Sequence, residues 1–179
     1  VGVVLLAAGR STRFAGGAKL AWPLHGAPLG LHAARTLAGL SFGALVAVVA
    51  GPGVNYAALG YHEVVNPALE QGQSASIALG VAQARAAGVE AVLIALADMP
   101  FITADHLRAL LAGWEGPDSI MASLAPQPMP PALFGAAWFD ELERLTGDRG
   151  ARHLLARARG IAAPSDTLVD IDRREDLPG

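Results

Sequence analysis

The first twenty residues, VGVVLLAAGRSTRFAGGAKL (1–20), decide how the fold is read. A short apolar run, VGVVLLA (1–7), gives way at Gly9 to a loop carrying Ser11, Arg13, Gly16, Gly17 and Lys19. A run that is apolar at successive positions suits a strand covered on both faces, the kind found in parallel sheets. Lys19 is the only lysine in the chain; the remainder of its 13 basic Lys/Arg residues are arginine. Glycines let a backbone approach an anion closely and aim its N–H groups at it. A lysine at the end of such a loop adds a compact point charge suited to phosphate. The loop is therefore either a phosphate cradle or a plain strand-to-helix connection with solvated charges. It is neither of the two familiar phosphate loops. Lys19 is followed by Leu20 and not by Ser or Thr, and Ser11 interrupts the G-x-G-x-x-G spacing.

Beyond residue 20 the pattern of the opening repeats. Short apolar runs, the strand candidates 1–7, 44–50, 62–65, 91–97, 119–124 and 167–171, alternate with longer amphipathic segments at 29–40, 74–88, 103–113, 136–145 and 150–159. In the helix candidate 74–88, Ile77, Val81 and Ala84 share one face while Gln83 and Arg85 point away. Thr103, followed by Asp105 and His106, predicts a helix N-cap. The proline-dense APQPMPP (125–131) reads as a loop. This alternation predicts a three-layer αβα architecture, Rossmann-like, with a mostly parallel sheet and the ligand site beyond the carboxyl ends of the strands. Three polar segments follow strand candidates there: the opening loop, Asp98-Met99-Pro100, and Asp172 to Asp176.

Composition narrows the class. With 179 residues the chain is expected to form one domain, 1–179, burying roughly 70% of its unfolded surface. There is no cysteine, which excludes disulfides, thiolate metal sites and a cysteine nucleophile. Net charge is −3 and no basic run is present, which argues against nucleic acid as the main partner. The opening apolar run is too short for a membrane span and lacks a basic leader, so no membrane partner and a cytoplasmic location are expected.

Asp98 stands at the carboxyl end of the apolar run AVLIALA (91–97). A carboxylate in that place can hold Mg²⁺ together with phosphate oxygens and water, or it can serve a turn before Pro100. Asp170 and Asp172 flank Ile171, and at a period of two they lie on one face. Asn66 precedes Pro67 and can act in a turn; Ser74 can cap the following helix. Asp148, Arg149 and Arg152 suit an anionic second substrate or a surface salt-bridge cluster. His25, His32, His62, His106 and His153 show no metal-ligand spacing.

LAAGRSTRFAGGAKL (6–20) resembles the signature loop LAAGxSxRxGxxK of MobA-like nucleotidyltransferases. Further segments resemble that family in its own order: Gly26 with Pro28 and Leu29, NPALEQGQSASIALG (66–80), ALADMPFIT (95–103) and LVDIDRREDL (168–177). PALF…LTGDRGARHLL (131–155) is similar to its molybdenum cofactor cytidylyltransferase branch. The resemblance implies the nucleotide-diphospho-sugar transferase type of fold. It implies a nucleotide site of Leu6, Ala7, Ala8, Gly9, Ser11, Arg13, Lys19, Asn66, Gly72 and Ser74, with Arg13, Lys19 and Asp98 catalytic. It implies Mg²⁺ or Mn²⁺ on Asp98 with Asp170 or Asp172, and an acceptor near Asp148, Arg149 and Arg152. The expected reaction is CMP transfer from CTP to a molybdopterin-type cofactor, for delivery to a molybdoenzyme client. GTP or a sugar phosphate as substrate, and a non-catalytic delivery chaperone, are the alternatives. The chain departs from the family pattern at Ala97, usually glycine, at Arg173-Arg174, usually Thr-Pro, and at PMPP (128–131), where cytidylyltransferases carry Gly-His-Pro.

Overall fold

The computed structural model describes residues 1–9, 14, 18–147, 150–164 and 166–177. The chain opens with β1 (Gly2–Ala7), then a two-stranded ribbon of β2 (Pro23–Leu24) and β3 (Ala27–Pro28). Next come α1 (Leu29–Ala38), β4 (Ala44–Val49) and β5 (His62–Val65). They are followed by α2 (Gln73–Ala86), β6 (Ala91–Leu96), α3 (Ala104–Ala112) and β7 (Ile120–Leu124). The last elements are β8 (Pro128–Gly135), α4 (Phe139–Glu143), α5 (Arg152–Leu155) and β9 (Arg159–Ala162). Seven strands form one sheet in the order β5-β4-β1-β6-β8-β7-β9. All neighbours are parallel except β8, which runs antiparallel to both β6 and β7.

Alternate residues of β1 explain the three layers. Val3, Leu5 and Ala7 enter a core with α1 and α3, through Ala33, Leu37, Leu107 and Leu110. Val4 and Leu6, with Ala8 after the strand, enter the opposite core with α2, α4 and α5, through Ile77, Val81, Phe139 and Leu154. Both faces are covered, so the strand had to be apolar throughout. The expected face of α2 is the buried one: Ile77, Val81 and Ala84 are buried and Arg85 is exposed, while Gln83 is half-buried. Thr103 caps α3, its hydroxyl accepting from the His106 N–H at 3.3 Å.

Four expectations fail. Residues 167–171 form no strand; a turn at Thr167 and a bend at Leu168 lead into a strap whose Ile171 N–H donates to the Asp98 carbonyl, two residues past β6, at 2.9 Å. The stretch 125–131 is not all loop, because β8 begins at Pro128. Its prolines are tolerated because β6 pairs only with Ala132 to Gly135, so the earlier residues need no N–H for that neighbour. The helix expected over 150–159 shortens to 152–155 and gives way to β9, an edge strand whose exposed residues carry no apolar run. Helix 136–145 likewise shortens to a 3-10 turn and α4.

Two close contacts set how the layers pack. A Cβ added at Gly80 would lie 2.3 Å from Val4 Cγ1 and 3.0 Å from Val48 Cγ2, so α2 sits directly on β1 and β4. His106 is buried, with Nε2 2.8 Å from Ser123 Oγ. The Ser123 hydroxyl donates to the Pro131 carbonyl at 2.9 Å, so the ring nitrogen is the donor to serine, and α3, β7 and the start of β8 are tied together. Burial pushes the His106 ring below its ordinary 6.5.

At an exposed helix position Gly→Ala gains about 1 kcal/mol. Here the sign reverses: Gly80→Ala is expected to lose about 1–3 kcal/mol by overpacking, read from urea unfolding. The lowered His106 pKa means that the unfolded chain takes up a proton first as pH falls through 6.5. Stability should therefore decline on that acid side, and His106→Gln should flatten the decline in unfolding curves recorded from about pH 7 down to about pH 5.

Candidate functional site

The carboxyl edge of the sheet carries two cavities that share a boundary. The first, about 620 Å³, is lined by Ala7, Gly9, Phe14, Lys19, Tyr56 and the Gly51-Pro52-Gly53 loop after β4. The second, about 800 Å³, is lined by Asp98, Asp170, Asp172, Gln73, Arg152 and an apolar wall that includes Met129 and Phe134. The boundary is an ion pair. Lys19 Nζ lies 2.6 Å from Asp98 Oδ2 and 3.3 Å from Asp172 Oδ1, so a residue of the first cavity is bonded to two of the second.

Local structure places each member. Lys19 opens a 3-10 turn, Lys19–Ala21, which packs on α1 and leaves the lysine only 6% exposed. Asp98 follows β6, whose apolar residues end in the core beneath it. Asp170 and Asp172 reach the cavity because Ile171 between them turns the other way, into a cluster with Phe14, Leu24 and Leu29. The expected period-two arrangement thus holds without a strand. Burial pushes the Asp98 carboxyl above its ordinary 3.8; the Lys19 ammonium opposes this and the Asp170 charge reinforces it.

Other expected residues fall into distinct places. Leu6 lines the second cavity, Ala7 and Gly9 the first, and Ala8 is buried against the α2 side. Asn66 spends both ends of its amide inside the chain: Nδ2 donates to Ser76 Oγ at 2.9 Å and Oδ1 accepts from Ala68 N–H at 2.8 Å. It lines neither cavity, and its geometry is that of a turn residue. The cap position of α2 belongs to Gly72, at φ 81°, and not to Ser74, which sits within the first turn. The Ser74 hydroxyl is buried with no hydrogen-bond partner among the described residues. Arg152 lines the second cavity and is exposed. Ser11, Arg13, Asp148 and Arg149 lie outside the described residues.

Sequence reasoning missed Tyr56 and the Gly51-Pro52-Gly53 loop. The loop had a signal, since it too follows a strand's carboxyl end. Tyr56 had none, because its place depends on packing. Its hydroxyl is buried without a partner among the described residues and stands where a Cβ on Gly30 would be, 2.5 Å away. Burial, then the Glu63 and Asp98 charges, push the phenol well above its ordinary 10, so it stays protonated.

Among the described residues no group of three or more His, Asp or Glu side chains stands close enough to enclose a metal ion. The donors at the boundary are carboxylate oxygens, and among the described residues Lys19 is bonded to those of Asp98 and Asp172. Such a set suits a hard divalent ion that takes one or two protein carboxylates and completes its shell from phosphate and water. It does not suit a closed structural site.

Two cavities over the carboxyl ends of a mostly parallel sheet, with a glycine-bearing loop on one side, define a nucleotide-binding α/β protein. The chain belongs to the MobA-like NTP transferase domain family, whose model matches residues 3–162. It is 34% identical to the purine catabolism protein PucB of Bacillus subtilis (strain 168), over 97% of this chain and 92% of PucB. In fold it is similar to Rv0371c from Mycobacterium tuberculosis H37Rv, with a TM-score of 0.78 at 23% identity over 98% of this chain and 95% of that one. A manganese complex of Rv0371c superposes with a TM-score of 0.74 at 22% identity, covering 98% and 94% of the two chains. A nucleotidyl transferase from Methanothermobacter thermautotroptrophicus gives 0.77 at 22% identity, covering 98% and 93%. No helix among the described residues is long and apolar enough to cross a membrane.

Losing a hydrogen-bonded buried hydroxyl ordinarily costs about 1 kcal/mol. Tyr56→Phe removes one without a partner, so the unfolding midpoint of the ligand-free protein is expected to hold or rise in a thermal melt.

Proposed function

We propose that the chain transfers CMP from CTP to the phosphate of a molybdopterin-type acceptor and releases pyrophosphate. The observation that carries this reading is the Lys19–Asp98 pair at 2.6 Å, which joins a loop-lined cavity to a second cavity large enough for an acceptor. The nucleotide occupies the first cavity, with Leu6 to Gly9, Ser11, Arg13 and Lys19 around its phosphates. Gly72 and Ser74 stand on the side of its base and ribose, and Asn66 fixes the turn that leads to them. The acceptor occupies the second cavity, near Asp148, Arg149 and Arg152. The whole chain, 1–179, works as one nucleotidyltransferase domain in the cytoplasm.

In the reaction an acceptor phosphate oxygen attacks the α-phosphorus of the nucleotide. A new P–O bond forms, and the bond to the bridging oxygen breaks, its electron pair leaving with pyrophosphate. Arg13 and Lys19 neutralise the charge that grows on the departing group, so positioning and electrostatics supply the catalysis. Asp98, with Asp170 or Asp172, would hold Mg²⁺ or Mn²⁺, which supplies charge stabilisation to the phosphates when bound. In the free chain the Lys19 ammonium occupies the place between Asp98 and Asp172, and it exchanges those carboxylates for phosphate when substrate arrives. No nucleophilic side chain is needed. The LAAG opening and the GDRGAR segment, 147–152, support CTP over GTP. Gln73 and Gln127 amides beside Met129 and Phe134 support a heterocyclic acceptor body over a bare sugar phosphate. A molybdoenzyme client would receive the product.

The test is pyrophosphate release from each of CTP, GTP, ATP and UTP, with molybdopterin or a sugar phosphate as acceptor. Turnover is expected with CTP and molybdopterin. Asp98→Asn and Lys19→Met should each lower it by about 100- to 1000-fold, the cost of removing one preorganised charge from such a site. GTP-confined turnover would move the assignment to a guanylyltransferase. Nucleotide binding without turnover on either acceptor would refute the enzymatic reading in favour of a delivery chaperone.

A further inference from the structure

The carboxylates of the strap come to the site from outside the sheet. Residues 166–177 lie beyond the segment 3–162 that the family's model matches, and none of the described ones belongs to the sheet. What holds the strap is a side-chain cluster. Ile171 is fully buried among Phe14, Leu24 and Leu29, with Trp22, Val169 and Leu177 packed around it. Arg174 lies over the Trp22 ring, 4.0 Å from its centroid, and Trp22 meets Phe14 edge-on at 5.7 Å. The Asp176 carboxylate accepts from Asp172 N–H at 2.9 Å and Arg173 N–H at 2.7 Å, fixing the turn just past the site.

Phe14 sits within the opening loop, and Trp22 follows the turn that carries Lys19. The hydrophobic cluster therefore joins the phosphate side of the site to Asp170 and Asp172 through residues that offer no ligand atom. Backbone alternation does the rest. With Ile171 seated in the cluster and its N–H on the Asp98 carbonyl, the two flanking aspartates must face the second cavity.

We propose that Ile171 is a positioning residue for divalent-metal binding, acting as a plug, with the Arg174–Trp22 contact as its outer latch. The inference rests on the metal role proposed above for Asp98 with Asp170 or Asp172. Removing the plug frees the strap to slide or rotate and takes two carboxylates out of register with Asp98. Ile171 offers no polar side-chain atom to the nucleotide, so nucleotide affinity measured without metal is expected to stay as it was. Residues that orient metal ligands without touching the metal are commonly worth a ten- to hundredfold change in affinity.

The experiment measures Mn²⁺ affinity by electron paramagnetic resonance in the presence of a non-hydrolysable CTP analogue. Metal-free binding of the same analogue is measured by calorimetry. Ile171→Ala is expected to weaken Mn²⁺ by about ten- to a hundredfold and to leave metal-free nucleotide affinity within about twofold. Ile171→Val, which keeps most of the plug, should restore Mn²⁺ affinity to within about threefold of the parent. Parent-like Mn²⁺ affinity in Ile171→Ala would overturn the inference, and so would an equal loss of metal-free nucleotide binding. If circular dichroism shows Ile171→Ala to be unfolded, Arg174→Ala decides. It removes an exposed cation–π contact and should weaken Mn²⁺ by about two- to fivefold, and no change would overturn the inference. Failure of the parent protein itself to bind Mn²⁺ with nucleotide would refute the underlying metal reading, a result separate from either variant's.

Discussion

A lysine that is only 6% exposed must have its charge neutralised, and the rest of the site follows from how this is done. Lys19 is matched by Asp98 at 2.6 Å and Asp172 at 3.3 Å. Lys19 is the buried member of both pairs, and removing a carboxylate partner would leave its ammonium less compensated. Two chain segments far apart in sequence are thereby held to the opening loop. The pair is also imperfect as a resting arrangement. Burial raises the Asp98 carboxyl in spite of the lysine, and Asp170 adds to the repulsion. Charges of both signs, the Lys19 ammonium and the carboxylates of Asp98, Asp170 and Asp172, thus meet where the two cavities join.

The sheet supplies the rigid frame for this arrangement. β1 and β6 are adjacent and parallel, in register from Gly2 with Val92 to Leu6 with Leu96. The opening loop and Asp98 therefore emerge side by side from the same edge. β8 runs the other way, bringing the proline-rich start of that strand to this edge as a wall of the second cavity. The antiparallel strand separates the two cavities' surroundings: glycine-rich loops after parallel strands on one side, prolines, Met129 and Phe134 on the other. That asymmetry suits two different ligands meeting at one ion pair.

Much of this was legible in the residues. The continuous apolar runs of β1, β4 and β6 could be read because strands covered on both faces admit no polar alternation, and Thr103 announced the cap of α3. Asp98 at the end of AVLIALA and Lys19 at the end of the loop were recognisable because a strand's carboxyl end is a fixed address in this class of sheet. β9 was not legible, since an exposed four-residue edge strand has no pattern to distinguish it from the end of a helix. The start of β8 was hidden by its prolines, which are tolerable only because β6 pairs with the later part of that strand. Tyr56 gave no signal, because its hydroxyl reaches its place through the missing side chain at Gly30, on a different element.

Local chemistry alone determined which segments become strands and helices, which loops follow strand ends, and which charged residues are rare enough to suggest a role. Burial and periodicity are properties of neighbours in the chain, and so they are written there. Tertiary structure alone decided that Lys19 meets Asp98 and Asp172, that Asn66 is spent inside a turn, and that Asp170 and Asp172 are presented by a plugged strap. Those outcomes depend on distances between residues up to 153 positions apart, set by the register of the sheet and the packing around Ile171. No local pattern encodes such distances, because they exist only once the two cores have closed.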